Sequence, residues 1–277
     1  SCNAEDYEAD NIIIATGSQA KLPPIEGLQD LAKSGSEPQI VTSTELLVLD
    51  HVPVRLVIIG AGVIGMEFAS IFNAFGSRVT VIEFLKECLP AMDSDIAKRL
   101  RKSMEKRGIA FHMQAGVKRI SSDGVTFERK GKEETVPADV VLIATGRKPN
   151  IGGLNLDAAG ISYDNKGIKV NPQTFEVECA PHSSLHAPRI YAIGDVNGQT
   201  LLAHAATMQG IHVVNEILGK KDAIRLDIMP AAVFTTPEAA SVGLTEDQCK
   251  EQGLEYTCKK SLYRANGEAL AMDETEG

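Results

Sequence analysis

The chain has 277 residues, room for about two domains, and its 43% hydrophobic and 23% charged residues are ordinary for a soluble globular protein. A net charge of −9 argues against a nucleic-acid partner, whose phosphates demand a basic surface. No apolar run approaches the ~18 residues of a membrane span, and residues 1–6 are polar and acidic, unlike a secretory signal. Five widely spaced cysteines (Cys2, Cys88, Cys179, Cys249, Cys258) without a Cys-x-x-Cys suit free thiols in a reducing cytoplasm.

In chain order, residues 10–17 read as a short buried strand closed by a glycine turn. Pro23-Pro24, Gly27 and Gly35-Ser36 mark a loop-rich connection, and 42–49 a short helix. An apolar β run at 56–59 feeds directly into Gly60-x-Gly62-x-x-Gly65. A helix over 64–75 follows, then a second β run at 79–82 ending on Glu83. Asp93 is placed to cap an amphipathic helix that runs to Arg107 and stops at Gly108; its basic stretch 98–107 reads as a solvated face. Strands are expected at 109–114, 117–120, 124–129 and 134–136, with Ser121-Ser122-Asp123-Gly124 as a hairpin turn. This small antiparallel layer could cover one face of a parallel sheet.

Residues 138–146 then echo residues 9–17: each copy is an Asp, an apolar strand and Ala-Thr-Gly. The two copies flank the 54–83 unit and read as crossings between two domains. Another strand ends in Gly194-Asp195, and a helix spans 202–218 before Gly219. From Asp227 the texture changes: a β-like stretch at 229–238, a polar helix at 246–252 and a strand at 256–262 read as the opening of a further domain. His182 and His186 lack a third ligand at metal spacing, so no metal site is expected.

The order strand, glycine triplet, helix, strand and acid is what a dinucleotide needs. Gly60 allows the tight turn, Gly62 lets a pyrophosphate approach the backbone, and Gly65 lets helix and strand pack closely. The helix start offers free N–H groups and the positive end of its dipole. Glu83 can accept hydrogen bonds from both adenosine ribose hydroxyls and would repel a 2′-phosphate. Phe84 and Leu85 supply no Arg for such a phosphate, so the cofactor read here is NAD rather than NADP. The competing reading is a helix-packing turn without a ligand.

Ala15-Thr16-Gly17-Ser18, residues 60–67, Ala144-Thr145-Gly146-Arg147-x-Pro149-Asn150, Ala192-Ile193-Gly194-Asp195, Leu201-Leu202-Ala203-His204 and residues 233–246 together resemble the FAD- and NAD-dependent pyridine nucleotide-disulfide oxidoreductases. The resemblance covers essentially the whole chain. Within the family it is closest to the branch that oxidises dihydrolipoyl groups, on Glu83-Phe84-Leu85 with Leu89-Pro90 and on Ala203-His204. It implies an α/β fold: a Rossmann-like NAD-binding domain (42–147) inserted in a partial FAD-binding domain (1–41 and 148–225), followed by the start of an α+β interface, or dimerisation, domain (226–277). It implies electron transfer from a dihydrolipoyl dithiol of a multienzyme complex through FAD to NAD, by a homodimer when complete.

Carried over residue by residue, Gly60, Ala61, Gly62, Val63, Ile64, Gly65, Met66 and Glu67 contact NAD, with Glu67 near the nicotinamide end. Glu83 holds the ribose, Val117 sits on the adenine side, and Gly146 touches NAD at the crossing. Thr16, Gly17 and Ser18 border the flavin nucleotide, and Asp195 holds the ribityl chain. Leu201, Leu202, Ala203 and His204 line the isoalloxazine. An acid at a strand's C-terminal end suits a polyol, and a helix beginning near Leu202 aims its positive end at the ring; the plainer readings are a turn-forming Asp and a polar residue at a helix start.

The family's first Gly-rich loop, its Cys-x-x-x-x-Cys pair and its C-terminal His and Glu do not occur in these 277 residues. The chain therefore reads as a fragment lacking both ends, with no catalytic residue of its own, since a thiolate performs disulfide exchange. The alternatives are a stand-alone NAD-binding module or inactive relic, and a related NADH-dependent flavin reductase with another substrate.

Overall fold

Apolar runs bounded by glycine and proline become the strands of the structure, a computed structural model that describes residues 7–28, 38–179 and 188–277. In chain order come β1 (Asn11–Ile14), β2 (Ser18–Ala20), β3 (Gln39–Val41), α1 (Ser43–Leu46), β4 (Arg55–Ile59), α2 (Val63–Ala74), β5 (Arg78–Glu83) and α3 (Ser94–Lys106). There follow β6 (Ala110–Met113), β7 (Ala115–Ser121), β8 (Gly124–Arg129), β9 (Lys132–Val136), β10 (Val140–Ile143) and β11 (Arg147–Pro149). The remainder comprises β12 (Tyr163–Asp164), β13 (Gly167–Ile168), β14 (Arg189–Ala192), α4 (Ala203–Ile217), β15 (Ala231–Val233), β16 (Ala239–Ser241), α5 (Glu246–Glu251) and α6 (Gly267–Ala271). The chain divides into two units: Ser1–Gln19 with Arg147–Met229, and Ala20–Gly146 with Pro230–Gly277.

The second unit is built on a five-stranded parallel sheet, ordered β3-β10-β4-β5-β6. Strands buried on both faces read as unbroken apolar runs, as 56–59 and 140–143 do. Alternate residues divide between two cores. Leu56, Ile58, Val81, Val140 and Leu142 pack under Met66 and Phe72 of α2 and Leu100 and Met104 of α3. Val57, Ile59, Ile82, Val141 and Ile143 face Ile120, Val125 and Phe127 of the antiparallel sheet β7-β8-β9. The expected cover on one face of the parallel sheet is therefore present.

In the first unit β1 pairs in parallel with β14, and Tyr191, Phe175, Val196 and Val213 form a separate core. The expectation of a buried strand at 10–17 is corrected: Ile12 and Ile13 are 41% and 39% exposed. Among the described residues β1 has one neighbour and no layer over its outer face. The strand expected at 256–262 is also corrected. That stretch pairs with nothing among the described residues, and a strand exists only through a ladder partner. The β-like 229–238 shortens to β15, paired with β16. Helix α6 follows a signal missed in the sequence, the Asn266 side chain accepting from the N–H groups of Glu268 and Ala269. Cys2, Gly35-Ser36, His182 and His186 lie outside the described residues.

Candidate nucleotide sites

At the end of β4 the chain turns through Gly60 at φ +108°, where a Cβ would lie 2.4 Å from the Ala144 carbonyl oxygen. A Cβ on Gly65 would lie 2.1 Å from the Gly60 carbonyl oxygen, so α2 and the turn touch backbone to backbone. Gly62 differs: nothing lies within 4 Å of its Cβ position. It is the N-cap of α2 and brings no side-chain cap, so the first N–H groups of the helix face this open side. The cradle at Gly62 is the space a side chain would fill and a diphosphate can use.

Glu83, the last residue of β5, is clamped at this turn. Its Oε2 accepts from the Ala61 N–H at 2.6 Å and its Oε1 from the Leu85 N–H at 2.7 Å. Each carboxylate oxygen keeps a further lone pair for a ribose hydroxyl. The Leu89 N–H donates to the Ala61 carbonyl at 2.9 Å, so the loop after Glu83 is tied back to the glycine turn. Arg101 of α3 holds the same loop through a two-point grip on Glu87, at 2.6 and 2.9 Å. Burial is the largest single influence on the Glu87 carboxyl and raises it, but the Arg101 hydrogen bond and charge, with the Cys88 N–H, together outweigh burial and keep the group below its usual range.

The other residues expected at NAD are also placed. Ala144 and Thr145 back onto Gly60, which sets Gly146 (φ +103°) beside the turn. Phe84, 77% exposed, reaches Gly116, next to half-buried Val117 on β7. Glu67 has a tie not foreseen: its Oε1 accepts from the Phe234 N–H at 2.9 Å, and Ser70 one turn on accepts from the Thr236 N–H at 3.0 Å. These residues fit a dinucleotide with an unphosphorylated adenosine ribose.

In the first unit the Thr16-Gly17-Ser18 turn is clasped by Asn150, which stands four residues after the second Ala-Thr-Gly. Thr16 donates its hydroxyl to the Asn150 carbonyl at 2.7 Å, and the Asn150 amide returns a bond to the Thr16 carbonyl at 3.0 Å. The Asn150 N–H donates to the Gly17 carbonyl at 2.9 Å. Ser18 donates to Asp195 Oδ2. Asp195 sits in a 3-10 turn anchored from beneath, where buried Gln209 of α4 accepts from both the Gly194 N–H (2.7 Å) and the Asn197 amide (3.1 Å). Leu202 is the N-cap of α4 and has no side-chain cap; Leu201, Ala203 and His204 beside it are exposed. An anchored carboxylate and an uncapped helix start fit part of a flavin nucleotide. Arg147, Asn150, Asn197 and Gln209 were not assigned from sequence; only Arg147 and Asn150 stood inside a noticed motif.

The described cysteines are all free. Burial, then the neighbouring Glu87, pushes the Cys88 thiol up to about 12, which keeps it protonated and unreactive.

Residues 2–210 match the family model described as pyridine nucleotide-disulphide oxidoreductase. The chain belongs to this family. Residues 229–277 match the family's dimerisation domain. Leghemoglobin reductase of Glycine max is 41% identical over 273 residues, covering 96% of this chain and 49% of that protein. Mitochondrial dihydrolipoyl dehydrogenase of Pisum sativum is also 41% identical over 273 residues, covering 96% of this chain and 52% of its own length. Among solved structures, the HOCl-induced flavoprotein disulfide reductase RclA from Escherichia coli superposes with a TM-score of 0.79 at 31% identity, over 96% of this chain and 58% of that one. The chain thus spans about half the length of the curated relatives it matches. The relatives named dihydrolipoyl dehydrogenase are oxidoreductases that use FAD and NAD, and the α/β architecture agrees with the family. Among the described residues no helix is long and apolar enough to cross a membrane.

Proposed function

We propose that this chain carries the NAD site, and part of the FAD site, of an enzyme that oxidises protein-bound dihydrolipoyl groups. The observation that carries the reading is the Glu83 carboxylate, fixed by the Ala61 and Leu85 N–H groups beside the open face of Gly62. In this reading residues 42–147 form the NAD domain, 1–41 and 148–225 parts of the FAD domain, and 226–277 the start of the interface domain. When bound, FAD would relay electrons from a substrate dithiol to NAD. Within that scheme the turn at Gly60–Gly65 cradles the diphosphate, Glu83 holds the ribose and excludes a 2′-phosphate, and Asp195 holds the flavin polyol. The match to a dimerisation domain supports a homodimer, and the name of the pea relative supports a dihydrolipoyl group as substrate. The widely spaced free cysteines support a reducing compartment, for which we propose the cytoplasm, although the pea relative is mitochondrial by name.

Calorimetric titration tests the nucleotide reading: NADH binds, and NADPH binds at least about tenfold more weakly, one like-charge contact's worth. A preference for NADPH, or no binding of either, ends it. The substrate reading is tested on a chimera that joins this chain to the flanking segments of the pea enzyme. Absence of lipoamide-dependent NADH formation counts against it. NADH binding by a chain that never takes up flavin favours the stand-alone module.

A further inference from the structure

Arg147 lies outside the residues assigned to either nucleotide, yet its guanidinium is committed to the flavin half. Its Nε–H donates to the Ser18 hydroxyl oxygen at 2.7 Å, and its Nη2 donates to the Ser18 carbonyl, also at 2.7 Å. Arg147 and Ser18 are both half-buried, and the Arg147 Nε stands 3.7 Å from Asp195 Oδ2. A serine hydroxyl has one proton to give. With a guanidinium N–H pointed at its oxygen, that proton is driven toward the remaining acceptor, Asp195 Oδ2. The relay fixes one carboxylate oxygen and leaves Oδ1 outside the network, the atom with which Asp195 can accept a hydroxyl.

We propose that Arg147 is a positioning residue for the flavin polyol: acting through Ser18, it fixes the direction of the Asp195 carboxylate before the ligand arrives. The near repeat of Ala-Thr-Gly then has a physical purpose. The residues just after the second copy, Arg147 and Asn150, clasp Ser18 and Thr16 at the end of the first copy, which borders the same ligand. A lysine keeps the charge but cannot grip oxygen and carbonyl together, because it lacks the planar fork.

The inference rests on the FAD reading above, and the test separates the two. FAD is titrated into the 277-residue chain and its Ser18→Ala, Ser18→Thr, Arg147→Met and Arg147→Lys variants, with flavin fluorescence and visible circular dichroism as readouts. The wild-type chain binds FAD. Ser18→Ala and Arg147→Met each weaken binding about tenfold and change the dichroism of what remains bound. Ser18→Thr, which keeps the hydroxyl, restores binding, and Arg147→Lys does not. The Ser18→Ala/Arg147→Met pair loses no more than the weaker single variant, since both cut one relay. If the wild-type chain takes up no FAD, the FAD reading fails and this inference with it. If it binds FAD and the variants stay within twofold of it, or if losses in the pair simply add, the FAD reading stands and the role of Arg147 is overturned. Should Arg147→Met fail to fold, the contrast between Ser18→Ala and Ser18→Thr decides alone.

Discussion

Three glycines within six consecutive residues do different jobs, and single methyl groups tell them apart. Gly60 and Gly65 are required by the fold: a Cβ at either would overlap a backbone oxygen, at 2.4 and 2.1 Å, and Gly60 also sits at φ +108°. Gly62 has φ −74°, which any residue adopts, and open space around its Cβ position. Gly62→Ala is therefore expected to leave the urea midpoint within error while weakening NADH binding at least tenfold, because the methyl occupies the diphosphate's place. Gly60→Ala is expected to cost about 2–4 kcal/mol in the same denaturation assay. Unfolding of Gly62→Ala, or its undiminished affinity, would contradict the division. A pH effect is also argued at single-residue scale. His112 packs at a tilt against Phe127 with ring centroids 4.7 Å apart, and its buried Nδ1 has no hydrogen-bond partner, Glu134 Oε2 standing 3.9 Å away. Burial lowers its pKa from 6.5; Glu134 opposes that and Arg129 adds to it. With the folded value below the unfolded one, the unfolded chain binds more protons between the two. Stability is then fully present above about pH 6.5 and declines as pH falls toward the folded value. His112→Gln should flatten the decline between pH 7.5 and 5.5, measured by urea unfolding; an unchanged slope excludes His112 as its source.

At the scale of elements, Asp93 stands where the sequence puts it, at the N-cap of α3, but its carboxylate makes no cap bond there. Asp93 Oδ1 instead accepts from the Glu246 N–H at 2.8 Å, at the start of α5, and Asp247 of α5 returns the favour to the Ser94 N–H of α3 at 3.3 Å. Two helix starts within one unit thus exchange their carboxylates, each beside the positive end of the other. Asp93→Ala should cost about 1 kcal/mol, the usual worth of a cap. It should also speed hydrogen exchange at the Glu246 amide more than at Ser94. Faster exchange at Asp95 or Ile96, the amides a local cap would hold, would restore the cap inferred from sequence. This exchange shows which features a sequence discloses. Residues 56–83 were legible because strand, glycine turn, helix and acid are set by neighbours within the segment, and the structure places each element within a residue or so. The partner of Asp93, 153 positions away, leaves no local trace. The same holds for the Glu67 tie to Phe234 and for Gln209 under the Gly194 turn. The stretch 256–262 has strand-like composition, but pairing is a property of two segments, and composition reports only one.

The whole molecule holds its two halves with unequal resources. The second unit has five parallel strands covered on both faces by apolar layers. The first relies on two-stranded pairings around one core, with Ile12 and Ile13 left partly in water. A two-stranded sheet contributes little alone, so the first unit should open at lower free energy than the second. Ligand linkage sharpens this contrast. The residues assigned to NAD, Gly60–Glu67, Glu83, Val117 and Gly146, all belong to the second unit. A ligand that binds only the folded form at a hundred times its Kd adds about 2.7 kcal/mol to the unit that holds it. Hydrogen exchange with and without saturating NADH is therefore expected to slow the amides of β4 and β10 by about a hundredfold. The amides of β1 and β14 should exchange faster at the outset and stay within twofold on adding NADH. Equal slowing in both sets would mean that the chain unfolds as one cooperative block, so that NADH stabilises the two halves together. Unchanged exchange in β4 and β10 would mean that the glycine turn does not hold the ligand.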